Sequence, residues 1–473
     1  MKRHLGILFF ALFSLAAVSC DGKREMPVKP DEGGDTPKPS GAKTYYIAPN
    51  GDDNQSGIAP AFAKKTFKAV LDLLRPGDVI KVMGGRYEYN GSQALAMKKE
   101  HSGTEEKPIT IIAADPNDRP VFHVGGRGVW NAFSIEASYV VIDGLELAGW
   151  NQQLDSLTAL RNAELYRDNR EAIDWNTTAQ FNTNGLSIGA DQNNRTFITH
   201  HVTIRNCIVH DFPGGGLGAS TSDYITFENN ICYNNAWHTM YACSGISFIN
   251  PVDLDNYTGY KYRIVGNLCY NNRCKVPWAQ TADFRLSDGN GIIIDVNQHG
   301  ADKSPWVDTP YKGRTLVANN VSIHNGGSGI HAYKADHVDI VNNTAYWNGI
   351  KFTEDNNYPE IFAQSANDVN IMNNIMIARQ GGYCNNNDKV VNYSHNVYFG
   401  PARRIGEGDV QANVSDAKVV KLSTNGAEAD MHLLEGCIAI GKGIKTDAVP
   451  ATDKDGVSRG SSIDCGAYQY VKK

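Results

Sequence analysis

The chain lacks an excess of either charge. Its 45 Lys and Arg against 51 Asp and Glu leave a formal net charge of -6. That mildly acidic balance argues against nucleic acid as a main partner. The 9 cysteines include no pair of C-x-x-C clusters, so a structural zinc site is not expected. Residues 21–43 lack apolar periodicity and are rich in Pro, Gly, Asp and Lys. Such a segment cannot bury enough surface to fold and reads as a disordered tether. About 430 residues follow it, more than one conventional core organises. Elongated repeat folds escape that limit, because each repeat contacts only its neighbours.

The N-terminus carries a targeting pattern. Met1-Lys2-Arg3-His4 is basic, residues 5–18 are almost continuously apolar, and Ser19-Cys20 follows. These are the charged region, apolar region and small-residue cleavage site of a signal peptide. A cysteine directly after the small residue resembles a bacterial lipoprotein signal. Cys20 would then carry the lipid and tie the mature protein to a membrane, at the outer membrane, the cell surface or in the periplasm. A plain signal peptide with an incidental cysteine is the other reading. Export would permit disulfides among Cys207, Cys232, Cys243, Cys269, Cys274, Cys384, Cys437 and Cys465, and the sequence assigns no pairs. Cys232 and Cys269 share one register and would either stack as thiols or pair across coils.

The middle of the chain repeats one phrase. "HVTIRNCIVHDF", "YITFENNICYNN", "KYRIVGNLCYNN", "RTLVANNVSIHN", "HVDIVNNTAYWN" and "DVNIMNNIMIAR" each hold a short β-rich run, one or two Asn or Gly, and a second β-rich run. One mainly apolar column runs through Ile208, Ile231, Leu268, Val321, Thr344 and Ile375, with spacings of 23, 37, 53, 23 and 31. The shortest lies in the range of solenoid repeats, and the longer ones are that coil plus inserted loops. Short strands with turn signals at this period predict a parallel β-solenoid. Asn at successive turns fits, because stacked amides hydrogen-bond from coil to coil. A third strand follows several phrases: "NGLSIGA", "GGLGAS", "SGISFI", "NGIIID" and "SGIHAY". In "SDGNGIIIDVNQHG", Ile292 and Ile294 should point inward and Ile293 and Asp295 outward, by the two-residue period of a strand.

These residues carry a resemblance. "YYIAPNGDDNQSGIAPAFAKKTFKAVLDLLRPGDVIKVMGGRYE" resembles the opening of secreted right-handed parallel β-helix proteins, particularly polysaccharide lyases of the family 9 pectate lyase type. The resemblance implies an all-β, right-handed parallel β-helix with a short N-terminal capping helix, about residues 66–74. The ending "DKDGVSRGSSIDCGAYQY", with Asp453, Asp455, Gly456, Arg459, Asp464, Gly466, Ala467 and Tyr468, resembles a tail common on such proteins and reads as the structural end of the solenoid. The implied organisation is a signal peptide at 1–20, a tether at 21–43, an N-terminal cap with the first coils at 44–125, the β-helix at 126–400 and its C-terminal end at 401–473. The site residues of the lyase family do not carry over. Ile293 stands where the family has its catalytic lysine, and Cys243-Ser244-Gly245-Ile246-Ser247 stands where it has its calcium aspartates.

Insertions point to a site independently, since loops carry function on rigid scaffolds. Two, near 250–259 and 296–313, follow the third strand; two more, near 272–287 and 349–359, precede it. They would wall a groove whose floor presents Ser247, Ile293, Asp295, His331 and Tyr333, a shape suited to an extended polymer. His331 is a candidate base on that floor, against the plainer reading of a surface histidine. Arg285 and Lys275 precede "SDGNG" and would neutralise a substrate carboxylate, unless they are solvated loop charges. Lys334 and His238 are further candidates for substrate contact. Trp237, Trp278, Trp306 and Tyr333 would stack on sugar rings or pack loops. Asp288 and Asp295 would supply oxygens to a hard cation such as calcium, although the Asp288 stretch is also a good turn.

The leading functional expectation is a surface or periplasmic polysaccharide-degrading enzyme, a lyase cleaving an acidic, uronate-containing, pectin-like glycan by β-elimination. Two alternatives stand beside it. One is a glycoside hydrolase pairing Asp295 with Asp283, Asp288 or Asp336 across the groove. The other is a noncatalytic glycan-binding surface protein.

Overall fold

A computed structural model of the chain describes residues 41–189, 197–298, 309–350 and 358–472. The signal peptide, Cys20 and the tether lie outside them. Three parallel sheets of 11, 11 and 8 strands run side by side along the molecule. Successive strands visit the first, second and third sheet in turn, so each coil adds one rung to each, with the right-handed sense that parallel crossovers take. The expected column is one register: Ile208 pairs with Ile231, then Leu268, Val321, Thr344 and Ile375 in order. One helical turn, Lys68–Leu71, closes the N-terminal end, with Phe67, Val70, Leu71 and Leu74 buried against the first coils. The expected helix is shortened at both ends.

The doubled asparagines divide two tasks. At the corner between first and second sheets, the first residue of each pair takes a left-handed conformation: Asn229, Asn319, Asn342 and Asn373 have φ of 53–57°. Asn tolerates that region better than most residues with a side chain. The second residue turns inward. Asn230, Asn267, Asn320, Asn343, Asn374 and Asn396 form a ladder in which each Nδ2 donates to the next Oδ1 at 2.9–3.0 Å. A second ladder runs through Asn235, Asn272, Asn325 and Asn348 at the corner between second and third sheets, also at 2.9–3.0 Å. It ends on buried Glu360, whose Oε2 accepts from Asn348 Nδ2 at 2.6 Å. Buried amides therefore find partners coil after coil.

The second ladder explains the glycine of the third-strand phrase. A Cβ at Gly216, Gly245, Gly291 or Gly329 would lie 2.6–2.9 Å from the Nδ2 of Asn235, Asn272, Asn325 or Asn348. Glu360 pairs with the position of Gly329 through the adjoining strands, where the ladder ends and there is room for a side chain.

The eight described cysteines are free thiols, and Cys232 and Cys269 stack in register inside the coil. The C-terminal tail folds back along the solenoid. Asn319, Asn342 and Asn373 donate Nδ2 to the carbonyls of Thr452, Asp464 and Ile444 at 2.8–2.9 Å. Buried Arg459 donates to Asn319 Oδ1 at 2.8 Å and to the Gly466 carbonyl at 3.0 Å. Asp453 accepts from the backbone N–H of Asp455, Val457 and Gln469 at 2.7–2.9 Å.

Candidate active site over the third sheet

The third sheet is the one whose outer face is walled by insertions. The expected insertions at 250–259 and 272–287 flank it, and those at 296–313 and 349–359 lie partly outside the described residues. A fifth, residues 149–183, lies between the strands Glu146–Ala148 and Asn184–Ile188 and contains the helices Ser156–Asp168 and Trp175–Gln180. It packs on Met240, Val276, Ala279 and Phe284. The repeat did not reveal it, because helices carry no trace of a coil's strand pattern.

The rung Ile292–Asp295 behaves as its alternation requires. Ile292 and Ile294 enter the core, whereas Ile293 faces outward under the covering loops at 4% exposure. Asp295 lies between Ile249 and Tyr333 in register. Its Oδ1 is buried without a hydrogen-bond partner among the described residues. Burial pushes its carboxyl up to about 7, moderated by the charge of Lys334. The next residue, Val296, has φ 45°, a strained choice for a β-branched side chain.

Asp288 reaches the same neighbourhood from the turn before the strand. It takes φ 56°, and Gly289 follows at 69°. Burial, then the charge of Asp295, raises its carboxyl to about 8. Asn290 Nδ2 donates to it at 3.3 Å. The two acids are thus within each other's field. The other proposed partners are engaged: Asp283 forms an exposed pair with Arg285 at 3.1 Å, and Asp336 accepts from Gln298 Nε2 at 2.6 Å.

His331 lies on the floor as expected but is sealed. It is 5% exposed, its ring is stacked on Phe362 at 4.0 Å, and Tyr333 and Tyr358 lie at 5.8 and 6.2 Å. Neither ring nitrogen has a partner among the described residues, and burial lowers its pKa to about 3. Tyr358 joins this floor to the acids, its hydroxyl 3.4 Å from Ser287 Oγ. Lys334 Nζ sits 5.1 Å from the Tyr333 ring centre. Arg285 is exposed, and its charge acts on Tyr333 and Tyr358. The structure therefore brings Asp288, Asp295, His331, Tyr333, Lys334 and Arg285 together.

Lys275 and His238 form a separate group against the helical insertion. Lys275 Nζ lies 3.1 Å from the Trp237 ring centre, and burial lowers its pKa to about 8. His238 is buried with Nε2 3.2 Å from the Asn151 carbonyl, and burial lowers its pKa. Trp306 lies outside the described residues. For calcium, the donor set is thin. Asn290 Oδ1 already accepts from Ser328 N and Oγ at 2.8 Å. Among the described residues, no group of three or more His, Cys, Asp or Glu could hold a metal ion, whereas calcium takes six to eight oxygens.

Beside the acids the face opens into a cleft of about 130 Å³ on the strands Asn184–Ile188, Leu217–Ser220 and Ile246–Ile249. Among the described residues its lining holds no aromatic side chain. Separately, Trp130, Trp175, Tyr166 and Tyr241 form a closed circuit with ring centres 5.9–6.4 Å apart. Sequence reasoning missed this group, since its members are scattered over a strand lead-in, the insertion and a loop.

No protein-family model and no curated protein matches the chain. Solved structures do. A crystal structure of the pectate lyase Pel9A matches with a TM-score of 0.50 and 17% identity, covering 91% of this chain and 96% of its own. A rhamnogalacturonan lyase matches at 0.43 and 14%, covering 81% and 91%, and XylC with bound xylose at 0.41 and 12%, covering 91% and 99%. At these identities it is architecture that is shared: the chain is a right-handed parallel β-helix of the kind seen in pectate lyase Pel9A.

Proposed function

We propose that this chain is a glycan-degrading enzyme acting on the outer face of the third sheet, and that Asp288 and Asp295 make it a glycoside hydrolase. The observation that carries this reading is the pair itself: two carboxyls bracketing one strand, one raised to about 8 and the other to about 7. Environments that hold two carboxyls at different values separate an acid from a base. Asp288 keeps its proton at neutral pH and donates it to the leaving glycosidic oxygen. Asp295 ionises first; its Oδ1, without a partner among the described residues, then activates water or attacks the anomeric carbon. Lys334 adds positive charge beside the pair and suits an acidic polysaccharide, in keeping with the fold shared with a pectate lyase. No step runs through calcium. The pair predicts a narrow bell-shaped rate profile centred between about 7 and about 8, its limbs belonging to the coupled pair.

A second reading is β-elimination from a uronate. Its support is Lys275, whose pKa near 8 suits a base; His331, near 3, is too weak a base for that task at neutral pH. One experiment separates the two. The mature protein is incubated with a panel of acidic and neutral plant polysaccharides, and both reducing ends and ultraviolet absorbance are followed. Hydrolysis yields reducing ends without absorbance, and Asp295→Asn abolishes them. Rising absorbance that disappears in Lys275→Ala would replace the hydrolase with a lyase.

A further inference from the structure

One residue of the first sheet breaks its ladder. In the strand Tyr260–Val265, Tyr260 pairs with Arg314 and Tyr262 with Thr315, so Lys261 is the extra residue of a β-bulge. Bulges re-aim a side chain away from the direction its strand would give it. Lys261 is 2% exposed, and its ammonium meets three carboxylates. Nζ lies 2.9 Å from Asp223 Oδ2, 3.0 Å from Asp253 Oδ1 and 3.0 Å from Asp255 Oδ1, and donates to the Asp255 carbonyl at 3.2 Å. Burial works against its charge, and the bonds to Asp223, Asp255 and Asp253 outweigh burial and raise its pKa. A buried ion pair stabilises a fold little more than apolar side chains of the same shape. What distinguishes this cluster is what it holds in place.

It holds the ends of two insertions. Asp253 and Asp255 belong to the one that follows the strand Ile246–Ile249. Asp223 Oδ2 accepts from the backbone N–H of Leu254 in that insertion at 2.8 Å. Its Oδ1 accepts at 2.6 Å from the hydroxyl of Tyr311, near the end of the insertion that follows Asp295. Asp253 Oδ2 accepts from the backbone N–H of Lys312 at 2.9 Å. Both insertions then close on the rung Ile292–Asp295. Asn250 donates its N–H to the carbonyls of Asp295 and Val296 at 3.3 and 3.2 Å. Tyr311 donates its N–H to the Asn297 carbonyl at 3.0 Å, and Asn297 donates in turn to the carbonyls of Lys334 and Asp336 at 3.0 and 2.7 Å. Val296 stands between these bonds at φ 45°, a conformation that persists only where the surroundings impose it. The solenoid needs neither insertion: the coil of 23 residues between Val321 and Thr344 closes without one. The backbone on both sides of Asp295 is what they fix.

We infer that Lys261 is a positioning residue for Asp295: its ammonium binds together the two insertions that close on this rung, and so keeps the acid buried and fixed beside Asp288. This rests on the hydrolase reading above. The titratable groups facing Asp295 are Asp288, Lys334 and Tyr333, with His331 on the adjoining strand, and the test leaves all four in place. Burial is what raises the Asp295 carboxyl, so loosening the insertions admits water and lowers its pKa. The test is titration of Asp295 by carboxyl-carbon NMR in the full chain, its signal assigned by Asp295→Asn, with kcat, KM and the pH–rate profile measured beside it. Lys261→Met, an uncharged chain of similar length, should move the titration at least about one pH unit lower and reduce kcat about tenfold or more at unchanged KM. The acid limb of the rate profile should move with the titration. Tyr311→Phe, which removes only the hydroxyl bonded to Asp223, should shift both the same way by less. Lys64→Met is the control. Lys64 is also buried, and it holds the carbonyls of Asp53 and Gln55 at the N-terminal end, so its loss should lower the melting temperature without moving the titration. If Lys261→Met does not fold, Tyr311→Phe decides. A titration unchanged in the folded variant, or shifted as far by Lys64→Met, overturns the inference. The NMR shift requires no substrate, so the two readings fail separately. A shift in a chain that cleaves no polysaccharide removes the hydrolase alone. Cleavage that is lost in Asp295→Asn, with an Asp295 titration indifferent to Lys261, removes the positioning role alone.

Discussion

One column of residues crosses the outer face of the third sheet, and its two halves are built differently. In register it reads Ser134, Ser187, Gly218, Ser247, Ile293, His331, Phe362. The first four are small and leave an open cleft. The last three are large and lie beneath covering loops, each at 5% exposure or less. The covered half also holds the carboxyls displaced towards neutrality and the imidazole without partners. A buried polar group left unpaired costs about 1–3 kcal/mol. The open half spends stability on an absent side chain and the covered half on unmade hydrogen bonds. One half provides room and the other provides chemistry.

The largest effect should come from the acids. Asp295→Asn and Asp288→Asn should each lower kcat by about 10²–10⁴, the usual contribution of a general acid or base, with melting temperature unchanged or raised. Ser247→Ala, in the open half, should raise KM less than about tenfold and leave kcat alone, as loss of uniform binding does. Steady-state kinetics on whichever polysaccharide is cleaved decides this. A kcat loss in Ser247→Ala as large as that in Asp295→Asn would erase the distinction between the halves.

The next effect concerns the frame that both halves share. Asn325 Nδ2 reaches the Cys269 carbonyl, Ser322 Oγ and Asn348 Oδ1, and its Oδ1 accepts from Asn272. Asn325→Ala should therefore cost about 3–5 kcal/mol, as breaking a buried network does, measured by denaturant unfolding. The ladders were legible in advance because Asn-Asn recurs in one register, and a periodic signal survives loops of any length between its members. The site was legible only in part. Asp288, Asp295, His331 and Tyr333 could be placed because strand alternation and turn chemistry act over a few residues. The aromatic circuit of the helical insertion could not, since Trp130, Trp175 and Tyr241 meet only through an insertion with no period.

A smaller effect separates the ladder's end from the site. Burial raises the Glu360 carboxyl to about 8 from an ordinary 4.5. A raised folded value means that the folded state binds the extra proton. Its stability contribution is complete below the unfolded value and is lost as pH rises through about 8. Glu360 should thus add stability as pH falls from 9 to about 6.5, by at most about 1.4 kcal/mol per unit, beside contributions of the same sign from Asp288 and Asp295. Below that range the buried imidazoles oppose the gain. Glu360→Gln keeps an acceptor for Asn348 and should reduce the slope in thermal melts across this range, leaving the part that Asp288 and Asp295 contribute. An unchanged slope would assign the pH dependence to Asp288 and Asp295, in the covered half of the site.

The smallest effect has the opposite sign. His331 stacks on Phe362 at 4.0 Å with rings 18° apart, and both of its nitrogens lack partners among the described residues. His331→Phe preserves a flat ring in that stack and removes two unmade hydrogen bonds, so it should stabilise the protein by about 1 kcal/mol. The rate should fall at the same time, because a polar group kept at the expense of stability beside Asp295 has its use in the bound complex. Melting temperature and kcat of the one variant test both halves of that statement. A variant that melts lower would show that the imidazole nitrogens are satisfied in the resting protein. The covered half would then cost the fold no more than the open half, and the contrast between them would rest on the two carboxyls alone.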